Sequence, residues 1–96
     1  EDGHTASLFP CSDEIASCLS LDSPALLKVV PKTAPHQRIT FSFAALAKSK
    51  NTFLHISGVS KKHVLAKAIA GQECKEMPIR AFLQAPDVNT QVYWAE

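Results

Sequence analysis

Three short stretches carry the side chains that could do chemistry. The first is Asp2-Gly3-His4, an acid, a glycine and a histidine in direct succession. Gly3 lets the backbone turn sharply without Cβ strain. A histidine after such a turn sits where a strand hands over to a helix, a common ligand position in open α/β sheets. Its imidazole changes charge near neutral pH and suits general base work, and Asp2 stands close enough in sequence to orient it. The plainer reading is a solvated polar stretch with an incidental histidine.

The second stretch is Gly58-Val59-Ser60-Lys61, read as the turn between a strand at 52–56 and a helix capped by Ser60. A helix N-terminus presents unpaired N–H groups and about half a positive charge, a ready anion site. A lysine in that first turn opposes the dipole by a few tenths of a kcal/mol. An anion bound by both would explain it; a solvated lysine is the alternative. The third candidate is Arg38, which precedes a strand and follows a proline-bearing loop. Its planar fork suits phosphate or carboxylate, so it either contacts a ligand or pairs with an acid such as Asp2 or Asp22. His55, between apolar neighbours, reads as a histidine tucked at a sheet face. Lys62 and His63 read as solvent-facing, and nothing gives His36 a role.

The elements that must position these groups follow from periodicity. Residues 12–19 carry apolar side chains at Ile15, Ala16, Cys18 and Leu19, two turns of helix at best. The run 26–30 suits a buried strand, and Pro31 to Pro35 must be loop. Arg38 to Phe43 reads as a strand with Ile39, Phe41 and Phe43 on one face and Thr40 and Ser42 on the other. A short helix from Ala44 and a strand at 52–56 come next. From Ser60 the apolar stripe Val64, Leu65, Ala68 and Ile69 predicts the best helix of the chain, stopped by Gly71. Ile79 to Gln84 reads as a helical turn, and Val88 to Trp94 as a last strand with Val92 and Trp94 on one face. Strands alternating with helices predict an α/β layer fold with sequential parallel strands.

Beyond this reading, Asp2-Gly3-His4-Thr5-Ala6-Ser7-Leu8-Phe9-Pro10 resembles the signature of the 6-phosphogluconolactonases, in the wider family that includes the glucosamine-6-phosphate deaminases. Pro35-His36-Gln37-Arg38-Ile39-Thr40-Phe41 and Ser57-Gly58-Val59-Ser60-Lys61 agree in order and character. The resemblance covers most of the chain. It implies a Rossmann-like layered fold with a mostly parallel sheet flanked by helices. Because the signature falls mid-chain in the family, residues 1–96 read as the C-terminal portion of a single lactonase/isomerase-type domain.

The resemblance further implies hydrolysis of 6-phospho-D-glucono-1,5-lactone to 6-phosphogluconate without metal or cofactor. His4 would be the base and Asp2 its orienting acid. The turn at Gly3 and the helix start after it would face the oxyanion. Lys61, in the Gly-x-x-Lys run opened by Gly58, would hold the phosphate, with Arg38 as a further contact. The deaminase branch places a glutamate five residues after the histidine; here Phe9 stands there and cannot carry a proton. A non-catalytic sugar-phosphate-binding fragment is the other alternative, since the glycine-rich loop expected to complete the phosphate site is not in this stretch. The expected partners are the phosphorylated sugar lactone and either the missing N-terminal half or a second copy, because severed strands would leave an exposed edge. The 96 residues alone are expected to be inactive.

Composition is compatible with this. The chain has 96 residues, 46% hydrophobic and 20% charged, with ten Lys and Arg against nine Asp and Glu. That balance gives no electrostatic case for nucleic acid, so any anion site must be local. No apolar run approaches the roughly twenty residues that span a bilayer, and no signal-peptide pattern is visible. Three cysteines, Cys11, Cys18 and Cys74, form no Cys-x-x-Cys pair and read as reduced thiols of a cytoplasmic protein. The spacing of His4, Cys11 and Cys18 fits no zinc pattern.

Overall fold

A computed structural model describes residues 2–10, 12–32 and 36–96. Cys11 and Pro35, both singled out above, lie outside the described residues. The chain order is α1 (Ile15–Leu19), β1 (Leu26–Val29), β2 (Arg38–Phe41), α2 (Phe43–Ala47), β3 (Thr52–Ser57), α3 (Val59–Ala70), α4 (Ile79–Gln84) and β4 (Thr90–Ala95). No helix among the described residues is long and apolar enough to cross a membrane.

The α/β class holds, but the mostly parallel sheet does not. β1 and β2 pair antiparallel, Leu26 opposite Phe41 and Val29 opposite Arg38. The reason is the connection at 30–37, which can only reverse the chain; a parallel return needs a crossover of about a dozen residues or more. β3 and β4 do pair in parallel, Thr52 beside Thr90 through Ser57 beside Ala95, with α3 and α4 as their crossover. The described residues thus form two separate two-stranded sheets.

The hairpin also turns its faces the other way from the apolar pattern. Thr40 is buried, whereas Ile39 is 76% and Phe41 55% exposed. Thr40 goes inside because its hydroxyl is satisfied there, accepting from the Ser7 N–H at 3.2 Å and donating to the Phe41 carbonyl at 3.0 Å. Ser42 is no strand residue. Its hydroxyl accepts from the Ala45 N–H at 3.2 Å, so it caps α2 and ends β2 at Phe41. Phe43 then packs edge-on against Phe82 of α4, 5.0 Å between centroids. The core gathers Leu8, Phe9, Ile15, Cys18, Val29 and Phe82 around this contact.

Two further expectations change. No helix follows His4: residues 5–8 form a tight turn, Leu8 N–H to Thr5 carbonyl at 2.9 Å, with Ala6 at φ 51°. α1 begins only at Ile15. His55 is exposed on the outer face of β3 rather than tucked, in the register position beside Tyr93. The alternation of β3 buries Thr52, Leu54 and Ile56 in part instead. Val92 and Trp94 share that inner face, as their spacing predicts.

Candidate functional site

The Asp-Gly-His turn is built as glycine and a short acid dictate. Gly3 has φ +86°, and a Cβ there would lie 2.8 Å from Met77 Cβ, so glycine is required both by conformation and by space. The Gly3 carbonyl accepts from the Ile79 N–H at 2.9 Å, fastening the turn to the start of α4. Asp2 Oδ1 accepts from the His4 backbone N–H at 3.0 Å and meets His4 Nδ1 at 2.5 Å. With Nδ1 engaged by a carboxylate, Nε2 is the nitrogen left to accept a proton. Burial alone would raise the Asp2 pKa, but the hydrogen bonds from the His4 ring and backbone, and the charge of His4, carry it below its ordinary value.

α3 supplies the second part. Its N-cap is Gly58, not Ser60: Gly58 has φ +89° and no side chain of its own to cap the helix, and no acid stands in the first turn. Two bonds from β4 hold this turn. The Gly58 N–H donates to the Ala95 carbonyl at 2.9 Å, and Trp94 Nε1 donates to the Gly58 carbonyl at 2.7 Å. Lys62 lies over the Trp94 ring at 4.5 Å, so it is braced by an aromatic face rather than purely solvated. His63 is exposed, as expected.

His4 and Lys61 face one cleft of about 80 Å³, lined also by Gly3, Leu54, Ile56 and Val64. Ligand pockets commonly enclose about 300–1,000 Å³. The cleft is thus small, with the His4 imidazole and the Lys61 cation set against an apolar wall. Arg38 does not line it. Arg38 Cζ lies 4.8 Å from the centroid of Phe9, whose ring stacks on that of His4. Among the described residues no ion pair joins Arg38 to Asp2 or Asp22. No group of three or more metal-ligating side chains occurs among the described residues.

Sequence reasoning missed two supporting residues. The sequence marks Trp94 only as a strand residue and carries no signal of where its indole donor points. Arg80 was not singled out, yet it is 4% exposed and closes the C-terminus of α3. Its Nε and Nη2 donate to the carbonyls of Ala68 and Lys67 at 3.0 and 3.1 Å, and Nη1 to that of Glu73 at 3.1 Å. A lone arginine in an apolar run, Ile79-Arg80-Ala81-Phe82, was the available signal.

The fold belongs to an established class. Residues 1–94 match the family of glucosamine-6-phosphate isomerases and 6-phosphogluconolactonases, and the chain is a member of that family. It is 40% identical over 95 residues to a 6-phosphogluconolactonase of Rhizobium meliloti (strain 1021), covering 98% of this chain and 41% of the relative. A 6-phosphogluconolactonase of Pseudomonas aeruginosa is 44% identical over 89 residues, covering 90% of this chain and 37% of that protein. The crystal structure of a 6-phosphogluconolactonase from Shewanella baltica OS155 superposes with a TM-score of 0.93 at 38% identity, over 99% of this chain and 40% of that one. The chain thus spans about two-fifths of the length of these relatives.

Proposed function

We propose that this chain is the part of a 6-phosphogluconolactonase that carries its general base and a phosphate anchor. The whole protein then hydrolyses 6-phospho-D-glucono-1,5-lactone to 6-phosphogluconate. The observation that carries the reading is the shared cleft, in which an Asp2-oriented His4 and the first-turn Lys61 face the same space.

In this mechanism His4 Nε2 takes a proton from water as the water oxygen attacks the lactone carbonyl carbon. Asp2 holds Nδ1 and stabilises the imidazolium that forms. With the His4 N–H taken by Asp2, the Gly3 amide is the turn donor assigned to the oxyanion, which collapses as the ring oxygen leaves and takes up the proton from His4. Lys61 and the start of α3 at Gly58 hold the phosphate, with Arg38, outside the cleft beside Phe9, as a further anion contact. The deaminase alternative is disfavoured by Phe9, a buried ring where that chemistry would want a carboxylate.

The chain is read as the C-terminal portion of its domain, working in the cytoplasm and inactive alone. The small cleft supports inactivity alone, and the hairpin face of Leu26, Ile39 and Phe41 is an apolar surface suited to burial by the remainder of the domain or by a second copy. In the full-length enzyme, His4→Asn is expected to lower kcat about 10²–10⁴-fold with little change in stability. Lys61→Ala is expected to raise KM for phosphorylated substrate while sparing an unphosphorylated lactone. Normal turnover by a folded His4→Asn variant removes the assignment of the base.

A further inference from the structure

We propose that Phe9 is a positioning residue whose ring holds the imidazole of His4 and the guanidinium of Arg38 in fixed relation, coupling the base to an anion-binding group. This rests on the roles given to His4 and Arg38 above. The ring of Phe9 is 4% exposed and part of the core, so it is itself immobile. His4 stacks on it with centroids 4.7 Å apart and planes inclined by 15°. Arg38 Cζ sits 4.8 Å from the same centroid.

Each partner needs such a platform. His4 is exposed, and its hydrogen-bond partner Asp2 lies two residues away on the same turn. That pair can swing as one unit, and the stacking contact ties the imidazole to the core. Among the described residues no acid pairs with Arg38, and the aromatic face fixes its position. An aromatic face serves both groups, by offset stacking and by cation–π attraction. Leucine fills similar volume but offers no such face.

The test uses the full-length protein with Phe9→Leu, Phe9→Met and Phe9→Tyr, beside His4→Asn and Arg38→Met. His4→Asn should lower kcat alone, and Arg38→Met should raise KM alone. Loss of the aromatic ring should move both: kcat down about 10–100-fold through misplacement of the base, and KM up about 3–10-fold through the freed guanidinium. Phe9→Tyr should restore both parameters. In the unmutated protein the ring protons of His4 should show upfield ring-current shifts in proton NMR, whatever the turnover. Their absence overturns the proposal even if neither aliphatic variant folds. So does a folded Phe9→Leu or Phe9→Met with unchanged kcat and KM, or a Phe9→Tyr as impaired as Phe9→Leu. If His4→Asn proves fully active, the lactonase mechanism fails while the NMR shifts still decide whether the platform exists.

Discussion

Arg80→Met is expected to cost about 2–4 kcal/mol of folding free energy, balancing charged hydrogen bonds against relief of a buried charge. Three donors of one guanidinium satisfy the carbonyls of Lys67, Ala68 and Glu73. Hydrogen bonds to a charged group are worth about 1.5–3 kcal/mol each, and a cation at a partly buried helix C-terminus up to about 2. Against this, methionine avoids a desolvation penalty of several kcal/mol and keeps most of the stem packing. Glu76, 3.8 Å away and 60% exposed, adds little. Gly71 gives the same quantity by an independent route. A Cβ there would stand 2.1 Å from Nη2, and three hydrogen bonds keep the guanidinium from swinging aside. The backbone of Gly71, φ −105° and ψ 172°, suits any residue, so the cost of Gly71→Ala is the displacement of Arg80. Gly71→Ala should therefore destabilise the parent by a comparable amount and be neutral or slightly stabilising in Arg80→Met. Urea unfolding of the four chains followed by circular dichroism measures this cycle. Additive effects of the two substitutions would refute the reasoning.

Other expectations follow from the same contacts. Trp94→Phe removes the donor to Gly58 and should cost about 1–2 kcal/mol, raising KM for phosphorylated substrate more than for an unphosphorylated lactone. Asp2 has a depressed pKa when folded, so its stabilising contribution is present above the unfolded value and lost as pH falls through the folded one. The stability difference between the parent and Asp2→Asn should be constant from neutral pH to about pH 4 and vanish below it. Burial first, and the nearby Glu14 second, push the Cys18 thiol up, and it is fully buried. Thiol titration should find it unreactive until the chain unfolds.

Asp2, Gly3 and His4 lie within one turn, and Gly58 to Lys61 within another, so that much proximity was legible locally, although the cap expected at Ser60 falls at Gly58 and a turn, not a helix, follows His4. What placed them together, the bond from Ile79 to Gly3 and the indole of Trp94, is long-range and leaves no local pattern. The hairpin defeated its own alternation: Ile39 and Phe41 face outward because Thr40 meets Ser7, a partner 33 residues away. Ser42 was a visible cap residue, yet the Phe41-Ser42-Phe43 alternation outweighed it until the Ala45 bond showed a helix start. In α3 the stripe held at Val64, Leu65 and Ala68, but Ile69 lies exposed, beyond the strip that its neighbours cover.

The single hydrogen bond from Ile79 to the Gly3 carbonyl has a kinetic meaning. It joins residues from nearly opposite ends of the described chain, so the loop it closes is among the longest the molecule contains. Closure of long loops comes at an entropic cost that local pairings such as the β1–β2 hairpin avoid, and contacts of this range form late when they do not belong to the folding nucleus. The turn bearing His4 is therefore expected to lock only after α4 has docked. During synthesis the histidine leaves the ribosome before residue 79 does, and gains its final orientation only once α4 has followed it. Assembly order thus acts as a checkpoint, in which a chain stalled before α4 carries Asp2, Gly3 and His4 without the bond that fastens their turn.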